Sequence, residues 1–146
     1  MHLLWETLIL PLLDAASCRR LVEIGVEQGR NTRKLLEYCR KVGGFLHAID
    51  PHPHVSASTL DPDGKTLRFH RARSIDALPI IEEYDAVLID GDHNWYTVSR
   101  ELELIALHSK ETGGAARVFV PHMTGPDARR AVYSAPPRVP APTHSR

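Results

Sequence analysis

The stretch Leu21-Val22-Glu23-Ile24-Gly25-Val26-Glu27-Gln28-Gly29-Arg30-Asn31-Thr32 constrains the fold more than any other part of the chain. An apolar run that fits a buried strand passes into a glycine-bearing turn and then into the start of a helix. Glycine admits backbone angles, and a close approach of a ligand, that a Cβ would block. A helix starting at Asn31 or Thr32 aims its free N–H groups and positive dipole end back at that turn. Strand, turn and helix N-terminus together make a cradle for a nucleotide-type cofactor. The same residues also fit an ordinary strand-to-helix turn of an α/β domain. Glu23, Gly25 and Gly29 are the informative positions.

The rest of the chain repeats the alternation. Leu4, Trp5, Leu8, Leu12 and Leu13 have helical spacing over residues 3–16, with Pro11 as a kink or a break. Strands are expected at 21–26, 45–50, 67–70, 86–90 and 117–120. Helices are expected at about 32–41, 76–83 and 96–109, the last with Val98, Leu102, Ile105 and Ala106 on one face. Gly43-Gly44 and Gly113-Gly114 close two of the helices. Alternating strands and helices predict an α/β fold with a doubly wound, mainly parallel sheet of about five strands. Right-handed crossovers then gather the C-terminal strand ends on one edge, where ligands bind.

A chain of 146 residues is read as one domain over 1–133, followed by a proline-rich, disordered tail over 134–146. Its 18 basic and 18 acidic residues cancel, which argues against nucleic acid or an anionic membrane as partner. The apolar run at 8–13 is too short to span a bilayer. Cys18 and Cys39 form no CxxC pair and no disulfide framework, so the expected compartment is the cytoplasm.

Three features fall on the ligand-binding edge. The glycine turn is one. Asp50 ends strand two, at the distance beyond the turn that suits an acid binding ribose hydroxyls. Asp90-Gly91-Asp92-His93 ends strand four, and two carboxylates with an imidazole after an apolar strand are poorly explained by packing. Oxygen ligands there suit Mg²⁺ or a similar cation, and His93 suits proton abstraction. A dinucleotide fingerprint is excluded, since Gly25 is followed by Val26 and Glu27 where a second glycine is needed. A ligand with an amino acid end and an adenosine end fits better.

Glu23-x-Gly25-x-x-x-Gly29, Asp50, and Tyr84-Asp85-Ala86-Val87-Leu88-Ile89-Asp90-Gly91-Asp92-His93 resemble the class I S-adenosylmethionine-dependent methyltransferases. The similarity is nearest to the branch of metal-assisted O-methyltransferases that act on sugars and catechol-like small molecules. The resemblance implies a Rossmann-like fold with S-adenosylmethionine as cofactor. It puts Gly25 and Gly29 at the methionine end, Glu23 in support of the turn, and Asp50 on the ribose. Ser74 and Ile75 match positions bordering the adenine, Asp90 a metal ligand, and Asp92 and His93 the general base in different relatives. The implied reaction is methyl transfer to oxygen of a small-molecule acceptor, with Mg²⁺ as an aid.

The chain departs from that pattern in places. His122-Met123 stand where metal-assisted relatives carry acidic or amide ligands, with Asp127 a few residues on. The family's C-terminal antiparallel hairpin is expected to be missing, with 129–133 running into the proline tail and strand five left as a bare edge that a homodimer would cover. A cofactor-binding domain without turnover is therefore a second reading. A nicotinamide-dependent oxidoreductase is a third, disfavoured by the absent glycine and the lack of a Tyr-x-x-x-Lys pair. His52, His54 and His70 are read as surface or loop residues, Trp5 as core, and Trp95 as either core or substrate wall.

Overall fold

The computed structural model describes residues 5–91, 94–114, 116–120 and 132–134, the last three by backbone alone. The N-terminal apolar run makes a π-helical turn, Trp5–Ile9, that leads into helix α1, Leu10–Ala15. Pro11 lies in the first turn of α1, where its missing N–H removes no helical bond, so the break precedes the proline. There follow β1 (Arg20–Ile24), α2 (Arg30–Val42), β2 (Phe45–Ile49), the single turn α3 (Ala57–Leu60) and β3 (Leu67–His70). The remainder is α4 (Ser74–Ala77) with a 3-10 turn (Leu78–Ile80), β4 (Ala86–Ile89), α5 (Trp95–Thr112), β5 (Arg117–Phe119) and β6 (Val132–Ser134).

The strands form one sheet in the order β3-β2-β1-β4-β5-β6, the first five parallel. The order reverses at β1 and β4, which makes their C-terminal ends the crevice of a doubly wound sheet. Successive side chains point to opposite faces and so feed two cores. Leu21, Leu46, Ala48 and Leu88 join Leu13, Leu35, Leu36 and Cys39 of α1 and α2 on one face. Val22, Ile24, Ile49, Val87 and Ile89 join Ala77, Leu78 and Ile105 on the other. Trp5 is core, as its spacing implied. Trp95 is 81% exposed, which removes the core reading of that residue.

The C-terminal strand corrects the sequence reading. Val132–Ser134 does not run straight into the tail but pairs antiparallel with β5, in the register Phe119↔Val132, Val118↔Tyr133 and Arg117↔Ser134. The bare edge expected at β5, and with it the reason given for a homodimer, is therefore absent. Val132 and Tyr133 are good strand formers, and the open N–H and C=O row of β5 gives them a ladder to join. A three-residue strand is too short to show a period in sequence. Ser134, read as the first tail residue, is the last of β6. Residues 135–146 lie outside the described residues. Among the described residues no helix is long and apolar enough to cross a membrane.

Candidate functional site

The turn after β1 is held open by Asp50. Its Oδ2 accepts hydrogen bonds from the backbone N–H groups of Val26 and Glu27, both at 2.9 Å, and its Oδ1 accepts from His52 N–H at 2.8 Å. Burial works to raise the Asp50 carboxyl, but the three N–H donors outweigh it and leave the group below its ordinary range. Asp50 thus clamps the glycine loop and stays an anion. Oδ1 accepts a single backbone bond and so keeps acceptor capacity toward a ligand hydroxyl.

Two glycines fit the loop for different reasons. Gly25 has φ +89, and a Cβ there would lie 2.5 Å from the carbonyl oxygen of Asp90 and from Gly91 Cα, both backbone atoms that cannot yield. Gly29, at φ +73, sits at the N-cap of α2 with Leu60 and Val55 packed above it. Glu27, where a stricter glycine loop has its middle glycine, also takes positive φ, +48. A side chain pays for that conformation.

Glu23 lies beneath the loop, 1% exposed, on the sheet face covered by α2. No hydrogen bond of good geometry reaches either of its carboxylate oxygens, and the Thr32 hydroxyl close by offers only a poorly aligned one. Burial pushes the Glu23 carboxyl up to about 8; the Thr32 hydroxyl eases this, and the Asp90 and Asp50 charges add to it. Sequence reading makes Glu23 a support of the turn, and the structure places it there, outside the cavity lining.

A cavity of about 540 Å³ opens at the strand tips. Gly25, Asp90 and Gly91 border it at β1 and β4, Asp50 at β2, and Ser74 and Ile75 beyond β3. Of the expected cofactor-binding residues, Gly25, Asp50, Ser74 and Ile75 line it, and Gly29 stands behind the loop. Its apolar walls include Ile24, Ile49 and Ile75. The residues fit an adenosine-bearing ligand: an acceptor carboxylate at the β2 tip, apolar walls on either side, and a volume within the range of small-molecule sites.

Side chains of α5 that sequence reading did not single out complete the cavity. Tyr96, 71% exposed, and Thr97 stand at its rim. Glu101 lies inside, 1% exposed, and its Oε1 accepts a hydrogen bond from the Ser74 hydroxyl. The signal was in the sequence: Glu101 falls in the Val98, Leu102, Ile105 stripe, where a carboxylate on the buried face of a helix has no packing reason.

Asp90 is half-buried at the tip of β4 and accepts a hydrogen bond of 2.7 Å from the Asn31 side-chain amide at the start of α2. Among the described residues no three His, Cys, Asp or Glu side chains gather into a cation site. Asp90 is the one member of the expected metal set that the described residues include. Asp92, His93, His122, Met123 and Asp127 lie outside the described residues. His52 borders the cavity, whereas His70 is a strand residue, bonded through Nε2 to His47 Nδ1 of β2 at 2.9 Å.

A family model described as a methyltransferase domain matches residues 22–115. Among solved structures, the fold is similar to the MycE methyltransferase from the mycinamycin biosynthetic pathway, in complex with Mg and SAH. The TM-score is 0.53 and the identity 20%, over 75% of this chain and 31% of that one. At that identity the likeness bears on the fold, and the chain spans about a third of that protein's length. No curated protein matches. The family model runs from β1 to the threshold of β5 and so takes in the loop, the cavity and every strand tip that borders it; the chain belongs to the methyltransferase-domain family.

Proposed function

We propose that this domain binds S-adenosylmethionine in the strand-tip cavity and transfers its methyl group to an oxygen of a small molecule. The observation that carries the reading is Asp50. Its carboxylate shapes the glycine loop with Oδ2 and keeps Oδ1 available to a ribose hydroxyl, at the β2 tip where a nucleoside ligand of a doubly wound sheet places its ribose. The bound cofactor supplies an electrophilic methyl on a sulfonium. The chain's own work is to hold that end beside Gly25 and Gly91, to seat the adenosine between Ile24, Ile49 and Ile75, and to keep water from the transfer line.

In this proposal Asp92 or His93, next in the chain after Gly91, takes the proton of the acceptor hydroxyl as the new bond forms. Mg²⁺ at Asp90 is not assembled by the described residues, and no step passes through it. The acceptor is a small molecule rather than nucleic acid or membrane, and the two buried free thiols, Cys18 and Cys39, suit the cytoplasm.

Isothermal calorimetry with S-adenosylmethionine and S-adenosylhomocysteine tests the assignment. Saturable binding of both is expected, weakened at least tenfold by Asp50→Ala through loss of the loop clamp and the ribose acceptor, on the order of 2 kcal/mol. A flat titration with either ligand defeats the proposal. Methyl transfer to a small-molecule panel is expected to disappear in Asp92→Asn or His93→Ala, or in both, with cofactor binding retained.

A further inference from the structure

A second cavity, of about 380 Å³, shares no lining residue with the strand-tip crevice. Strand register builds its polar wall. His47 of β2 and Arg68 of β3 are cross-strand partners, and His70, two residues beyond Arg68, points to the same face. His47 Nδ1 and His70 Nε2 lie 2.9 Å apart in a hydrogen bond. Phe45, two residues before His47, meets its ring edge-on, and Ile80 and Ile81 line the same space from the 3-10 turn and the residue after it. The cavity thus joins a polar wall to an apolar one, and its volume is within the range of small-molecule sites.

The charged groups on that wall differ in what they leave open. Arg20 is ion-paired with Glu83. Arg68, opposite His47, is bonded to no carboxylate among the described residues. Burial is the first cause that lowers both imidazoles, and Arg68 is the one permanent charge that adds to it; neither Glu82 nor Glu83 acts against it. The field at the β2–β3 end of the cavity is therefore positive. Two neutral imidazoles joined by one hydrogen bond still keep an N–H at one of their outer nitrogens, His47 Nε2 or His70 Nδ1. We infer that Arg68, His47 and His70 form a binding site for an oxyanion, a carboxylate or a phosphate monoester, whose apolar body lies against Phe45 and Ile80. The guanidinium offers its fork of donors to the anion's oxygens, and the imidazole N–H adds one more. Glu82, which also lines the cavity, disfavours an anion at its own end and leaves the β2–β3 end as the seat. No part of this depends on the cofactor assignment.

The test titrates benzoate, phenyl phosphate and phenol into the full chain and follows the imidazole signals in a proton–carbon correlation spectrum. Saturable shifts of the His47 and His70 signals are expected with benzoate, with phenyl phosphate or with both, and the responding probe names the oxyanion. Phenol, which has the ring without the charge, is expected to leave them in place. Acetate and inorganic phosphate, which have the charge without the ring, are expected to bind about fivefold or more weakly than their aryl counterparts. Arg68→Gln, a change at an exposed position, is expected to weaken binding about tenfold, the scale of one charge-assisted hydrogen bond, with an unchanged circular dichroism spectrum. Four results each overturn the inference: no saturable shift with either aryl anion, a response to phenol equal to theirs, an affinity unchanged in Arg68→Gln, or shifts confined to His52 at the strand-tip crevice. Ringless anions that bind as tightly as the aryl ones overturn it too.

Discussion

Replacing Glu23 by glutamine gives a pH-dependent change in stability whose sign follows from burial. The carboxyl is fully enclosed between the sheet and α2, receives no hydrogen bond of good geometry at either oxygen, and is raised from 4.5 to about 8. A group whose folded pKa is raised contributes stability that is fully present below the unfolded value and is lost as pH rises through the folded value. The window is therefore pH 4.5 to 8. Within it the unfolded chain ionises freely while the folded chain must keep its proton. At pH 7 the difference amounts to about 3 kcal/mol, and at pH 5 to about 1 kcal/mol. Glutamine has nearly the same shape and never ionises. The advantage of Glu23→Gln over the wild type should therefore grow by about 2 kcal/mol from pH 5 to pH 7, whatever constant offset the amide introduces. Urea unfolding of the ligand-free protein, followed by the fluorescence of buried Trp5 and by circular dichroism, measures both curves. Other titrating groups cancel in the difference. Parallel curves for the two proteins across this range would refute the reasoning, because they would mean that Glu23 ionises in the folded state as easily as in water.

Gly25→Ala should lower stability by at least about 2 kcal/mol and abolish cofactor binding, since the new Cβ meets the Asp90 and Gly91 backbone at 2.5 Å; denaturant midpoints and calorimetry check both. Glu27→Gly should stabilise the protein by about 1 kcal/mol, because the left-handed backbone at φ +48 is strained for any side chain but free for glycine, and the Asp50 bond is made by the backbone and survives. His47 is driven down to about 4 by burial, with His70 and Arg68 adding to the effect. A lowered pKa contributes stability that is present above about 6.5 and is lost as pH falls toward 4. Discounted for its partial exposure, the loss is on the order of 1 kcal/mol; it should be absent from His47→Gln, so the wild type should lose about 1 kcal/mol relative to the variant between pH 7 and pH 4.5 in urea unfolding.

Much of the frame was legible because it rests on local rules. The apolar run Ala86–Ile89 was legible as a strand, being short, bounded by turns and buried on both faces, and the runs at 45–50 and 67–70 were legible from their length and the turn residues around them. Gly25 was legible since it stands where backbone atoms leave no room for a Cβ, and Gly29 since it takes positive φ at the N-cap of α2. Asp50 was recognised as an acid at a strand tip, but not as the clamp of the loop: the N–H groups it holds are 23 and 24 residues away along the chain. The antiparallel strand β6 was missed because three residues carry no period and take their structure from β5.

The residues alone determined the alternation of strands and helices, the shared edge of the strand tips, and the positions that must be glycine. Each follows from backbone sterics and hydrophobic period, which act over a few residues. Only the tertiary structure decided which side chains meet at that edge. It brought Glu101 from the fifth helix onto Ser74 after the third strand, left Glu23 buried without a well-aligned partner, and turned Asp50 back onto the loop between Gly25 and Gly29. Such pairings depend on strand order and on the exclusion of water from the crevice, and neither is a property of any one segment.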